Sequence, residues 1–189
     1  MYRMFVSGNF EKAANVAAMP QIVAFLASLG VEVINPLENL EVSENGRFCE
    51  LWAYLDLLGS CDGVFMAKGW LDSNLAAITE LTAKRNQIDI WHEEMNDVER
   101  IQKAIIDVTG LRLKDYSTQS RNRVTSIPRW IFTKYCRDAG ITLKKIGKLT
   151  NRDHSTVIHS LDTYDDNMKY DKEFRDIARK VDAILNPKN

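Results

Sequence analysis

What the sequence lacks sets the first limits. Its three cysteines, Cys49, Cys61 and Cys136, are far apart and odd in number, so neither a disulfide framework nor a C-x-x-C metal knuckle is available, and buried reduced thiols are expected. Of its three histidines, only His154 and His159 are near neighbours. They are i, i+5, roughly 140° apart on a helical wheel, where a metal-binding pair on one helix favours i, i+4. No metal site and no cofactor are expected. No apolar run approaches the roughly 20 residues that span a bilayer. The opening MYRMFVSGNF enters a strand-like run with no basic start, long apolar centre or small-residue cleavage site. A cytoplasmic protein without a membrane partner is the expectation. There is no G-x-G-x-x-G after the first strand, which disfavours a dinucleotide site, and no G-x-S-x-G nucleophile elbow. The Gly-Lys in GITLKKIGKL is not a P-loop either, because six residues separate its glycines and Leu149 stands where Ser or Thr would bind Mg²⁺.

What is present is an ordinary chain of 189 residues, 45% hydrophobic and 27% charged, long enough for one large domain or two small ones. The net charge of −1 hides a division. Residues 1–95 hold 6 basic and 13 acidic side chains, while residues 96–189 hold 19 and 13; within the second half, residues 112–159 hold 11 and 3. An acidic domain joined to a basic one that meets a polyanion accounts for this, as does a solvated basic face.

The first half alternates strands with helices. MFVSG (4–8), VEVINP (31–36), GVFMA (63–67) and IDIW (88–91) read as strands. Pro20 is placed to start a helix whose face is Ile22, Val23, Phe25, Leu26 and Leu29, ending at Gly30. FCELWAYLDLL puts Phe48, Leu51, Trp52, Leu55 and Leu58 at helical spacing, and SNLAAITELTAKRN supplies a third helix. The pattern predicts a Rossmann-like parallel sheet with helices on its faces. Ligands of such sheets sit beyond the carboxyl ends of the strands, which selects Ser7, Gly8 and Asn9, Asn35, and Ser73 as candidate nucleotide-binding residues. Asp72 and Ser73 lie at a helix entrance that favours an anion, and Glu80, two turns on, is placed to face the same cleft.

The second half has another pattern. Asn96 or Asp97 caps a helix with Val98, Ile101, Ile105 and Val108 inward, ending at Gly110. LRLKDYSTQSRNRVTSIPRW reads as a basic loop ending at Pro128, a first-turn proline, before the helical RWIFTKYCRDAG. TLKKIGKLT is a short helix with Leu143, Ile146 and Leu149 inside. A tight turn at 150–152 leads to DHSTVIHSLDTYDDNM, with Val157, Ile158 and Leu161 as its apolar side, and a final amphipathic helix carries Phe174, Ile177, Val181 and Ile184. A short helix, a tight turn and a second helix with a polar first turn form a helix-turn-helix, whose second helix presents its N-terminal residues to base edges.

Two resemblances attach to these motifs. FVSGNF, VINP, YLDLLGSCDGVFMAKGW and the following Ser and Glu, across about residues 2–92, resemble the nucleoside 2-deoxyribosyltransferase-like superfamily. That resemblance implies Glu80 as a nucleophile on an anomeric carbon and Asp56 or Asp72 as its acid partner, a double displacement through a covalent sugar intermediate. The superfamily's S-x-G-[AV]-x-x-E is SNLAAITE here, one residue longer with Ala76 for Gly, and a Tyr at the end of the first strand is Phe5. A pocket that binds a nucleoside or nucleotide without cleaving it fits equally, and a homo-oligomerising scaffold is a third reading of this half.

RDHSTVIH, with SRNRV…PRW and TLKKIG upstream, resembles the C-terminal DNA-binding domain of DnaA, the bacterial replication initiator, across about residues 97–186. The resemblance implies duplex DNA as partner. Asp153, His154, Ser155 and Thr156 would contact bases, Arg121 or Arg123 would enter the minor groove, and His159 would support the bases or touch the backbone. Arg129, Lys144, Lys145, Lys148 and Arg152 would meet phosphates. The side-chain chemistry agrees: Asp accepts from cytosine N4, a Thr methyl packs on that of thymine, and Lys and Arg bring salt-dependent affinity. LTNR replaces the family's GGR turn, with Asn151 able to take the left-handed conformation. The expectation is an α/β domain over residues 1–93 and a helical helix-turn-helix domain over residues 97–187.

Overall fold

The computed structural model describes residues 1–43 and 47–187. The chain divides into two compact units, Met1–Glu94 and a second beginning at Met95. The first is α/β with a parallel sheet and the second is helical, as the patterning predicts.

In the first unit, strands β1 (Arg3–Ser7), β2 (Glu32–Ile34), β3 (Gly63–Met66) and β4 (Asp89–His92) alternate with helices α1 (Ala13–Ser28), α2 (Pro36–Asn39), α3 (Leu51–Gly59) and α4 (Asn74–Arg85). All strand pairs are parallel, in the order β2-β1-β3-β4, with Met4 opposite Val33, Val6 opposite Phe65 and Val64 opposite Ile90. The chain leaves β1 toward one side and reaches β3 on the other, so the carboxyl ends of β1 and β3 flank the topological switch point. Met4 and Val6 pack with Met19 and Leu26 of α1, while Phe5 meets Tyr54 of α3 edge-on at 4.9 Å. Covering on both faces is why β1 and β3 are apolar runs without alternation.

Three patterning expectations for this unit are corrected. Helix α1 starts at Ala13, so Pro20 lies inside it. The Ala-rich stretch before Pro20 has high helix propensity, and Met19 is buried; together they outweigh the hydrogen bond that proline forfeits. Phe25 and Leu29, assigned to the inner face, are 55% and 51% exposed. On α3, which begins three residues after Phe48, Leu51 and Trp52 point outward and Tyr54 and Leu58 are the buried pair.

The second unit comprises α5 (Asp97–Thr109), α6 (Leu113–Tyr116), α7 (Arg123–Asp138), α8 (Leu143–Thr150), α9 (His154–Tyr170) and α10 (Lys172–Leu185). Asn96 and Glu99 close a capping box on α5, and Gly110 ends it at φ 72°. The core gathers Ile105, Tyr116, Ile131, Phe132, Ile146, Val157, Phe174 and Val181. Each large side chain there is worth roughly 1.5–3 kcal/mol in transfer from water. Pro128 falls inside α7, which starts at Arg123 with Asn122 as N-cap, so the basic loop shrinks to residues 117–122 behind the short, unforeseen α6. Ile158 is exposed, and the inward residues of early α9 are Val157 and Ser160. No helix among the described residues is long and apolar enough to cross a membrane.

Candidate nucleic-acid interface

The carboxyl edge of the sheet bears the first set of candidate residues. A cavity of about 570 Å³ opens there, lined by Gly8, Phe10, Asn15, Gln21, Lys68 and Glu93 among others. Of the five residues expected to bind a nucleotide, only Gly8 borders it. Ser7 is buried on the opposite face of β1, its hydroxyl 2.9 Å from that of Tyr54 and 3.2 Å from that of Thr79. Burial pushes the Tyr54 phenol up to about 12. Asn35 caps α2 by accepting from Leu37 N at 3.1 Å, and donates to Glu38 at 2.7 Å. Ser73 caps α4 by accepting from Ala76 N at 3.2 Å. Asn9 is buried with no partner for its Oδ1 among the described residues.

The three candidate catalytic carboxylates do not line that cavity. Glu80 is buried and lies 3.0 Å from Lys84 Nζ. Asp72 is exposed and 3.1 Å from Lys12, and Asp56 is exposed on α3. Lys68 opens the KGWLDSN stretch that follows β3, whereas Asn15, Gln21 and Glu93 were missed because each is a lone polar residue in sequence, without a motif to group it.

In the second unit, α8 begins at the Thr142 cap and turns Ile146 inward, leaving Lys144, Lys145 and Lys148 exposed. Gly147 is required by close approach: a Cβ there would lie 2.6 Å from the backbone oxygen of Arg152. The turn closes with Asn151 at φ 52°, ψ 50°, the left-handed conformation expected of it, and with Arg152 N donating to Gly147 O at 2.9 Å. Asp153 is the N-cap of α9. Its Oδ1 accepts from Thr156 N at 2.7 Å and from Ser155 Oγ at 2.9 Å, and the Thr156 backbone bond, first, holds its carboxyl below the usual range. His154 and His159 are exposed and Thr156 is half-buried.

Three arginines expected to meet DNA are engaged within the protein. Arg129 is 5% exposed; it donates to the carbonyls of Tyr116 (2.6 Å), Thr118 (3.1 Å) and Ser120 (3.0 Å). Arg152 reaches the Thr118 carbonyl at 2.8 Å and the Gln119 side chain, while Gln119 Nε2 donates to Asn151 O at 3.0 Å. The two guanidiniums therefore clamp the basic loop beside the turn. Burial, helped by the neighbouring Arg152 charge, lowers Arg129 to about 10. Arg123 is ion-paired with Asp171 and, at 3.2 Å, with Glu173. Arg121, Lys144, Lys145 and Lys148 form no ion pair among the described residues. Two open grooves flank this region. One, of about 810 Å³, contains Lys144, Lys148 and His154; the other, of about 610 Å³, contains Arg121, Arg129 and His159; Gln119, Asn151, Arg152 and Asp153 border both. Gln119, which bridges loop and turn, had no sequence signal beyond its place in a polar loop.

Residues 98–163 match the bacterial dnaA protein helix-turn-helix family. The match runs from α5 into α9 and ends before α10. The chain is 31% identical over 113 residues to the chromosomal replication initiator protein DnaA of Geobacter sulfurreducens and 30% identical over 113 residues to that of Geobacter metallireducens. Each alignment covers 53% of this chain and 25% of the relative, so the chain spans about a quarter of the length of the curated relatives it matches. Two solved structures are distantly similar. One is a DNA replication initiation factor, at TM-score 0.36 and 11% identity, covering 95% of this chain and 86% of that one. The other is replication initiator DnaA bound to AMPPCP and single-stranded DNA, at TM-score 0.33 and 11% identity, covering 98% and 88%. In the DnaA-like segment, Asp153 and His154 at the start of α9 and Lys144 and Lys148 of α8 share one groove, whereas Asp171 and Glu173, the partners of Arg123, lie beyond the matched residues.

Proposed function

We propose that the chain binds duplex DNA in a sequence-dependent way through its DnaA-like helix-turn-helix. The observation that carries this reading is the first turn of α9. Asp153 caps that turn, His154 and Ser155 are exposed on it, and Lys144 and Lys148 of α8, without an ion pair among the described residues, line the groove beside it, within residues that match the family. In this reading His154, Ser155 and Thr156 read base edges, Asp153 offers a base only the acceptor capacity its cap leaves, and His159 touches the backbone. Arg121 enters the minor groove, and Lys144, Lys145 and Lys148 meet phosphates. Arg129 and Arg152 act one step back, by holding the loop that carries Arg121. The test is binding of the full chain to duplexes selected from a random pool: His154→Ala is expected to lose preference for the selected sequence more than bulk affinity.

For the acidic unit, we infer a site for a small polar ligand of nucleoside or nucleotide type at the carboxyl edge of the sheet, coupled to DNA binding and without N-glycoside cleavage. Support comes from the cavity beside Lys68 and Glu93, and from the ion-paired or outlying positions of Glu80, Asp72 and Asp56. Incubation with a deoxynucleotide panel is expected to release no base; release abolished by Glu80→Ala would establish the transferase reading instead. Association through this unit is part of the proposal, since Trp52 of α3 is 85% and Leu81 of α4 is 67% exposed, and a concentration-dependent sedimentation coefficient would show it.

A further inference from the structure

Arg123 stands at the first position of α7, next to the basic loop, where the resemblance placed a minor-groove arginine. Its guanidinium meets Asp171 through one terminal nitrogen and Glu173 through Nε. Asp171 is held in place from the other side, because its Oδ1 caps α10 by accepting from Phe174 N at 3.0 Å. Glu173, in the first turn of α10, is 68% exposed at the side chain. Two carboxylates fixed at the α9–α10 corner therefore occupy the same fork of N–H donors that a phosphate or a base edge would take.

We propose that Asp171 and Glu173 are an internal counter-ion for Arg123, which DNA must displace, and that this competition lowers affinity for duplexes of non-cognate sequence. The inference rests on the duplex-DNA reading above. Non-specific binding is almost wholly electrostatic, so withholding one cation weakens it directly. Exchange is open to DNA because half of the Arg123 side chain and most of Glu173 lie in water, although Asp171 is 18% exposed, and exposed ion pairs are weak.

The experiment measures binding of the full chain to a random-sequence duplex between about 50 mM and about 200 mM salt. It compares wild type, Asp171→Asn with Glu173→Gln, Arg123→Ala, and the triple variant. Asn retains the α10 cap. The double variant is expected to bind roughly fivefold tighter at the low-salt end, with a log–log salt slope steeper by about 0.9, the value for one more phosphate contact. In the Arg123→Ala background the same two substitutions should change affinity less than about twofold, the signature of a coupled pair in a double-mutant cycle. Equal tightening in that background would overturn the proposal in favour of general charge removal. Unchanged or weaker binding with a lowered melting temperature would overturn it in favour of a strut between α7 and α10. If wild type binds no duplex at all, the DNA reading itself falls; if wild type binds but the double variant does not differ, only the counter-ion proposal falls.

Discussion

At the scale of single residues, the helix-turn-helix depends on positions whose roles differ from their chemical appearance. Gly147 has no side chain to offer, yet any Cβ would meet the Arg152 carbonyl oxygen, a backbone atom that cannot move without opening the turn. Gly147→Ala is expected to destabilise the second unit by roughly 1–3 kcal/mol in thermal denaturation, with weaker DNA binding as a consequence. Arg129 resembles a phosphate ligand but satisfies three loop carbonyls. Arg129→Ala leaves these acceptors without that donor and should cost about 2 kcal/mol, whereas Lys144→Ala should stay within about 0.5 kcal/mol of wild type in stability and weaken DNA binding. Asp153 illustrates linkage. Its folded-state pKa is depressed by the Thr156 backbone bond, so its contribution is present above the unfolded carboxylate value of about 3.9 and is lost as pH falls through the folded one. Asp153→Asn keeps the cap and should flatten the acid limb of the melting temperature against pH; an unchanged acid limb would remove Asp153 as a source of that dependence.

At the scale of elements, the sequence was readable where a helix had one apolar face and a local stop. The Asn96–Glu99 box and Gly110 bounded α5, Thr142 and Asn151 bounded α8, and Asp153 opened α9, all through short-range hydrogen bonds or backbone preference. Prolines misled at both Pro20 and Pro128, because a helix start inferred from proline ignores Ala-rich or well-packed residues before it. The apolar pattern on α3 misled differently: it selected Leu51 and Trp52, while the buried position went to Tyr54, whose hydroxyl bonds Ser7 and Thr79 across the sheet face. No local pattern foretells that partnership, since the three residues lie on β1, α3 and α4. Tyr54→Phe should therefore destabilise the first unit by about 1 kcal/mol in denaturant titration. The exposed first turn of α9 was legible because RDHSTVIH is contiguous. The arginine roles were not, because Tyr116, Thr118 and Ser120 act through backbone carbonyls and the Arg123 partners lie about fifty residues downstream.

At the scale of the whole molecule, the charge division between the halves is an argument about partners, not about fold. Residues 112–159 carry eleven basic side chains against three acidic, but seven of those cations were assigned to DNA and four of them, Arg121, Lys144, Lys145 and Lys148, have no internal ion pair or loop clamp among the described residues. The number of phosphates neutralised should follow the second count. The measurement that tests this most directly is the salt dependence of binding by the full chain to its selected duplex, taken for wild type and His154→Ala. The account predicts a log–log slope of about −3.6 from four cations at about 0.9 each while Arg123 stays on its carboxylates, and about −4.5 where DNA displaces them, against about −6.3 for seven. The slope should be unchanged in His154→Ala while preference over a scrambled duplex is lost. Binding indifferent to salt, or a His154→Ala variant that keeps both affinity and preference, would contradict it.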